Sequence, residues 1–206
     1  MLMRAELDGL ICSGARVGKE FTYALLEERV PKTNVLARDQ ALAELARRYF
    51  TSRGPATLQD FAWWSGLTTA DARAGVEMAG DDLGREVIGG SVCWLPSSTR
   101  AVSRQAGTAH LLPVYDEYLV AYKDRAAVLD PRYSKRGSNV IFDATIVVNG
   151  RVVGTWKRTP SEKDILVTLK PFAPLRGSAQ RAVVDAARRY GGFLGQAVRV
   201  ESTPPQ

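Results

Sequence analysis

The segment LARRYFTSRGPATLQDFAWWSGLTTADARAGV (residues 45–76) contains the clearest fold signals of the first half of the chain. It begins inside an amphipathic helix predicted over residues 38–50, which Gly54-Pro55 ends. A second helix is predicted over residues 58–65 and a third over residues 69–79. Three helices joined by short turns are typical of a helix-turn-helix protein.

Polar residues at the predicted helix ends support these boundaries. Thr57 is placed as the N-cap of the second helix, and Asp60 at the third helical position makes a weak capping box with it. Gly66 ends that helix. Thr68 or Thr69 then caps the third helix.

A β-hairpin is predicted directly after the third helix. Two strand-like runs, at residues 85–88 and 91–95, flank Gly89-Gly90, which is a hairpin signal. Helix, helix, turn, helix and a two-stranded wing is the order of a winged helix-turn-helix. We therefore predict a winged helix-turn-helix domain over residues 37–105.

The remainder of the chain, residues 106–206, is predicted to be rich in β-structure. Asn149-Gly150 is a strong hairpin signal between two of its strands. A helix over residues 178–194 is expected to pack against them. The predicted strands lie at residues 110–113, 126–129, 140–148, 151–157, 165–169 and 197–201. The chain is thus predicted to be an α+β protein.

The first residues have the pattern expected for the C-terminal part of another winged-helix unit. Leu2, Leu7 and Leu10 recur at helical spacing, and two short strand-like runs follow at residues 10–12 and 21–25 around a basic glycine turn. We interpret residues 1–36 as the end of a winged helix and a linker, entered partway through.

Charge is distributed unevenly along the chain. The protein carries 28 Lys and Arg against 22 Asp and Glu, a formal charge of +6. Residues 1–105 hold 13 basic and 13 acidic side chains, whereas residues 106–206 hold 15 basic and 9 acidic ones. A basic surface is therefore expected mainly in the second half, where it permits a polyanionic partner.

Composition excludes several classes of site. One histidine, His110, cannot supply a multi-histidine metal centre, and Cys12 and Cys93 are far apart with no CxxC motif. No metal and no cofactor are expected. The N-terminus lacks a signal peptide and no apolar run is long enough to span a membrane, so the sequence predicts a soluble cytoplasmic protein without a membrane partner.

Basic side chains form the candidate DNA-binding residues, since Lys and Arg supply sequence-independent phosphate contacts. Arg73 is the only basic residue of the third helix, which argues against readout of base edges by that helix. A plain solvated surface remains the alternative for the whole set. The candidates are Arg47, Arg48, Arg53, Arg73, Lys123, Arg125, Arg132, Lys135, Arg136, Lys157 and Arg158.

Two further features admit a structural and a functional interpretation. Asp116, in an acid pair flanked by apolar residues, is a weak catalytic candidate as a general acid or base. The favoured interpretation is that it accepts hydrogen bonds from backbone amides at a turn or pairs with a nearby cation. Core packing is favoured for both Trp63 and Trp64 over base stacking, and more strongly for Trp63.

Three segments together resemble one family: residues 45–76, LLPVYDEYLVAYKDRAAVL (111–129) and VVNGRVVGTWKR (147–158). They resemble the winged-helix proteins of the AlkZ/YcaQ-like group, DNA glycosylases that excise bulky alkylated bases and unhook interstrand crosslinks. The resemblance implies tandem winged helices followed by a barrel-like β-rich domain, and double-stranded DNA as partner. It also implies that the chain corresponds to the C-terminal half of such a protein.

The catalytic motif of that family does not carry over. The resemblance implies a Gln-x-Gln or Gln-x-Asp motif in the N-terminal half. The glutamines of this chain, at positions 40, 59, 105, 180, 196 and 206, are not followed two residues later by Gln or Asp. We therefore expect a non-catalytic or incomplete DNA-repair-type protein. Two alternatives stay open: a glycosylase that acts on alkylated or crosslinked bases, and a half-protein that assembles with a partner supplying the N-terminal winged helix.

Overall fold

The computed structural model describes residues 1–31, 35–100, 107–134, 140–161 and 163–205. The chain divides into two compact units, Met1–Arg38 and Asp39–Gln206. The predicted division of the second unit near residue 105 stays a prediction. Helices and strands occur in both units, so the predicted α+β class is confirmed.

The first unit is small and open to solvent. Helix α1 (Leu2–Leu7) leads into strand β1 (Ile11–Ser13), which pairs antiparallel with β2 (Tyr23–Leu25) before the short helix α2 (Leu26–Arg29). None of the described residues of this unit is buried. The predicted order of helix, strand, turn and strand is present.

The second unit begins with three helices and a small sheet. Helix α3 (Arg38–Arg53), strand β3 (Ala56–Thr57), helix α4 (Leu58–Ser65) and helix α5 (Thr69–Ala79) come first. Strands β4 (Leu83–Ile88) and β5 (Ser91–Pro96) form an antiparallel hairpin, and β3 pairs with β5 on its other side. The predicted elements are all present, and α3 extends one turn past its predicted end.

The helix caps determine where α4 and α5 begin. The Thr57 side chain accepts from the Asp60 amide (3.1 Å), and the Asp60 carboxylate accepts from the Thr57 amide (2.9 Å), so the capping box is complete. Thr68, not Thr69, caps α5 by accepting from the Asp71 amide. Gly66 ends α4 with a φ of 70°, a conformation that favours glycine.

An aromatic cluster fills the core between these helices. The Tyr49 ring meets that of Phe50 edge-on, with centroids 5.0 Å apart, and Phe50 lies 5.4 Å from Phe61. All three side chains are fully buried. Burial of rings of this size supplies a large apolar stabilisation, so these side chains hold α3 and α4 together.

The rest of the second unit is a five-stranded sheet with one long helix. The strands are β6 (Ala109–Leu112), β7 (Thr145–Val148), β8 (Arg151–Pro160), β9 (Asp164–Pro171) and β10 (Ala197–Ser202). The sheet order is β10-β9-β8-β7-β6, with β10 and β9 parallel and the other pairs antiparallel. Helix α8 (Gly177–Leu194) packs Val183 and Ala187 against Ile146 and Val167 of the sheet.

The expected barrel is not closed in the part of the chain that the structure describes. Strands β6 and β10 are the two edges of the sheet and pair with one neighbour each. Because α8 covers one face, the sheet obtains its core from a helix and does not need to curl onto itself.

One strand prediction in this region was wrong, and another placed the start of its strand too early. Residues 126–129 form a turn in which the Asp124 side chain accepts from the Ala126 amide and the Leu129 amide donates to the Arg125 carbonyl. Residues 140–142 form a single 3₁₀ turn, so β7 begins only at Thr145. In both places local hydrogen bonds outcompete the sheet. Short helices α6 (Glu117–Val120) and α7 (Pro131–Ser134) lie between β6 and β7.

Candidate nucleic-acid interface

A groove of about 640 Å³ lies at the first turns of α4 and α5, beside β5. Arg73 of α5 and Lys123, in the segment that follows α6, both line it. Leu58 and Val92 contribute apolar side chains to its wall, and the remaining lining residues are polar, two of them acids. The lining residues also include Gln59, Asp60, Thr69, Ser91 and Asp124. Two predicted DNA-binding cations from distant parts of the sequence are thus brought together.

Asp60 links the groove to the helix cap beneath it. Its Oδ2 accepts from the Thr57 amide (2.9 Å) and the Thr57 hydroxyl (2.7 Å). Its Oδ1 accepts from the amides of Lys123 (2.8 Å) and Asp124 (3.3 Å). The residue is 6% exposed. The carboxylate therefore fixes the backbone of Lys123 at the groove through hydrogen bonds that its burial makes important.

Arg53 points to a different place. Its guanidinium binds Glu117 Oε2 (2.8 Å from Nη2) and lies over the Trp64 ring at 4.9 Å from the centroid. The Trp64 indole N–H donates to the same carboxylate oxygen (3.1 Å). Arg53 thus lies in a network between α3, α4 and α6, away from the groove.

Two tyrosine hydroxyls reinforce that junction. Tyr49 donates to the Ala121 carbonyl (2.8 Å) and Tyr122 donates to the Arg53 carbonyl (2.8 Å). Burial raises the pKa of both phenols, so they remain protonated donors. These bonds anchor residues 121 and 122 to α3 and hold the segment that carries Lys123.

Arg47 and Arg48 share one acidic partner on their own helix. Arg48 Nε lies 2.6 Å from Glu44 Oε1, and Arg47 Nε donates to Oε2 (3.0 Å). The two guanidinium groups hold the pKa of Glu44 below its usual value. Neither arginine lines the groove.

The described arginines between residues 123 and 136 have different partners. Arg125 Nε donates to the Leu119 carbonyl (2.7 Å), and burial lowers the pKa of its guanidinium. Arg132 pairs with Asp130 (2.7 Å) and holds the pKa of that carboxyl at about 2. Lys135 and Arg136 lie outside the described residues.

Lys157 and Arg158 lie exposed near the end of β8. The Arg158 guanidinium donates to the Tyr190 hydroxyl of α8 (2.6 Å). Both residues belong to a strand of the five-stranded sheet, and neither lines the groove.

The acid pair at residues 116 and 117 has defined structural contacts. The Asp116 carboxylate caps α6 by accepting from the Tyr118 amide (2.9 Å). Glu117 binds Arg53 and Trp64 as described above. These contacts correspond to the structural interpretation of Asp116. Among the described residues no cluster of three or more His, Cys, Asp or Glu side chains is arranged to hold a metal ion.

The expectation for Trp63 was wrong. Trp63 is 53% exposed, whereas Trp64 packs against Tyr49 with ring centroids 5.1 Å apart. Core packing was expected for both indoles and more strongly for Trp63, which is the exposed one. The link from Asp60 to Lys123 was also missed, because it joins residues that are distant in sequence.

No helix in the described ranges is long and apolar enough to cross a membrane.

Comparison with known proteins gives a consistent result. The family model described as DNA glycosylase AlkZ-like matches residues 1–193. The chain is 25% identical over 210 residues to an interstrand DNA cross-link repair glycosylase of Streptomyces sahachiroi, covering 95% of this chain and 54% of that protein. The solved structure of the Streptomyces sahachiroi DNA glycosylase AlkZ superposes with a TM-score of 0.70 at 22% identity, over 93% of this chain and 54% of that one. The chain therefore spans about half the length of these relatives.

Proposed function

Because the chain belongs to the DNA glycosylase AlkZ-like family, we propose that it is a DNA-repair-type protein that binds the phosphate backbone of double-stranded DNA. The observation that carries this proposal is the groove that Arg73 and Lys123 share. Arg, Lys, Thr, Ser and Gln side chains are the groups that contact phosphates in protein–DNA complexes.

The fold supports this proposal at a finer level. The order α3, β3, α4, α5, β4, β5 corresponds to a winged helix-turn-helix, which we assign to residues 37–105, with 106–206 as the β-rich domain. In this assignment α5 is the recognition helix. Its single basic side chain faces the groove, so we propose that α5 contacts phosphates and does not read base sequence.

We further propose that this chain does not excise bases by itself. Base excision needs a positioned water and a pocket for the target base. The sequence contains no Gln-x-Gln or Gln-x-Asp motif, and Asp116 is engaged as a helix cap. Release of bases from alkylated or crosslinked duplex by the purified chain would contradict this part of the proposal.

The exposed apolar surface of residues 1–38 favours a second, interaction role. Large apolar side chains of this unit lie on its surface: Leu2, Met3, Leu7, Leu10 and Phe21. Apolar patches of this kind mark protein interaction sites. We propose that a segment supplying the N-terminal winged helix of the family covers this surface.

Salt-dependent binding of duplex DNA tests the primary proposal. We expect the double variant Arg73→Ala/Lys123→Ala to bind a labelled duplex more weakly, and the slope of log K against log salt to fall in magnitude by about 2, one for each lost phosphate contact. Fluorescence anisotropy between low and moderate salt measures both quantities.

Arg181→Ala is the matched control, since Arg181 is an exposed arginine of α8 that does not line the groove. Its salt slope should equal that of the unmodified chain. No measurable binding at low salt, or equal slopes for the double variant and the unmodified chain, would refute the assignment of the groove.

A further inference from the structure

Trp63 combines high exposure with a fixed orientation. It is 53% exposed, yet its indole N–H donates to the Val120 carbonyl (3.3 Å). The Arg125 guanidinium lies over its ring at 6.0 Å from the centroid. Arg125 is itself held by its bond to the Leu119 carbonyl. An exposed indole restrained in this way has little conformational entropy left to lose when a ligand contacts it.

The position of Trp63 relates it directly to the groove. Gln59 lines the groove and lies four residues earlier on α4, so both side chains lie on the same helix face, about 6 Å apart along the axis. Lys123 comes from the same segment as Val120 and Arg125, the two residues that hold the indole. An aromatic surface thus adjoins the site of the two cations.

From this arrangement we propose that Trp63 is a stacking platform for an unpaired nucleobase whose phosphate lies in the groove. The inference rests on the proposed function of the groove and names a more specific ligand: DNA with an unstacked nucleotide. Every base has an aromatic face, so stacking of this kind requires no particular sequence. In fully paired duplex the neighbouring bases cover those faces, so Trp63 gains little there.

Binding of two related DNAs tests this inference. One is a fully paired duplex, and the other is the same duplex with one extra, unpaired nucleotide in one strand. We expect the unmodified chain to bind the bulged duplex more tightly. Trp63→Ala should lose about tenfold in affinity for the bulged duplex and change by less than about twofold on the paired one. Trp63→Phe should retain part of the preference.

Two controls separate stacking from a loss of structure. Phe193→Ala removes another exposed aromatic ring, at the end of α8, and should keep the full preference. Quenching of tryptophan fluorescence by the bulged duplex should disappear in Trp63→Phe, which keeps a ring in place and reports on contact with the indole directly.

The outcomes distinguish this inference from the proposal beneath it. If the unmodified chain binds both DNAs equally and with salt dependence, the groove assignment stands and the role of Trp63 is refuted. If Trp63→Ala weakens both complexes by the same factor, the stacking role is likewise overturned. If the unmodified chain binds neither DNA, both proposals are wrong.

Discussion

The carboxylate of Asp60 lies at the groove that we propose to bind DNA phosphates. A buried carboxylate is costly unless hydrogen bonds replace its lost hydration. Four donors from Thr57, Lys123 and Asp124 converge on its two oxygens. The carboxylate therefore serves to position its donors, and the amide of Lys123 is one of the groups positioned.

Replacement of Asp60 by Asn tests whether the carboxylate positions its hydrogen-bond donors. Asn offers one acceptor oxygen, so either the Thr57 pair or the Lys123 and Asp124 amides would face an NH₂ group. We expect Asp60→Asn to lower the free energy of unfolding by about 1–3 kcal/mol and to weaken duplex binding. Chemical denaturation and anisotropy measure the two effects.

Thr68→Ala provides the comparison for Asp60→Asn. It removes the N-cap of α5, which costs about 1 kcal/mol, but leaves the bonds to Lys123 intact. Duplex affinity should be unchanged in this variant. Equal affinities of the Asp60→Asn and unmodified chains would show that the carboxylate does not position Lys123.

The orientation of the two adjacent tryptophans could be predicted from the sequence only in part. Helical periodicity separates the directions of Trp63 and Trp64, but identifying the one that packs on the core requires knowing that Tyr49 contacts α4 at Trp64. The partner of Trp63 on the solvent side, Arg125, comes from a distant segment. Contacts of this kind depend on tertiary packing and have no local sequence signal.

At the scale of elements, Gly75 allows α5 to approach α3 closely. A Cβ at this position would lie 2.8 Å from the Leu42 carbonyl oxygen, a backbone atom that cannot move aside without shifting the helix. Gly75→Ala should therefore destabilise the protein by about 1–3 kcal/mol, although Ala normally favours a helix over Gly.

Gly192 of α8 is the control for Gly75, since a Cβ added there would meet no neighbouring group within 4 Å. Gly192→Ala should raise the free energy of unfolding by up to about 1 kcal/mol. Thermal and urea unfolding of both variants give the comparison. Stabilisation by Gly75→Ala would show that the two helices are not in close contact.

Helices were predicted better than strands, for a physical reason. Caps such as Thr57 with Asp60, and the break at Gly66, are local signals that can be recognised in the sequence. The turn at residues 126–129 also has local hydrogen bonds, but its apolar composition resembles that of a strand. Whether such a run joins a sheet depends on a pairing partner, which the sequence of the run does not specify.

For the molecule as a whole, the charge count by halves can be compared with the groove that we propose to bind phosphate. It placed the entire excess in residues 106–206, and Lys123 comes from there. Arg73 comes from the neutral half and faces the same groove. Side chains such as Arg132 and Arg199 add to the count but pair with Asp130 and Asp164. The net charge of each half therefore permits a polyanionic partner but does not locate a binding site for it.

We expect the first unit, residues 1–38, to cause copies of the chain to associate with one another. Its exposed apolar side chains should drive concentration-dependent self-association of the isolated protein, observable by light scattering. Leu7→Glu together with Leu10→Glu should shift the chain toward the monomer. Val87→Glu, at an exposed apolar position of the β4–β5 hairpin, should not. A chain that is monomeric at every concentration would contradict the self-association expected of this surface.

The bonds from Tyr49 to Ala121, from Tyr122 to Arg53 and from Asp60 to Lys123 also constrain how such a protein can evolve. A recombination event that joined these helices to a different β-rich domain would leave the buried Tyr49 hydroxyl without its acceptor and Asp60 Oδ1 without its donors. Helices α3 and α4 and the segment from residue 116 to residue 125 must therefore be inherited together. Strands β4, β5 and β6 separate them in the sequence.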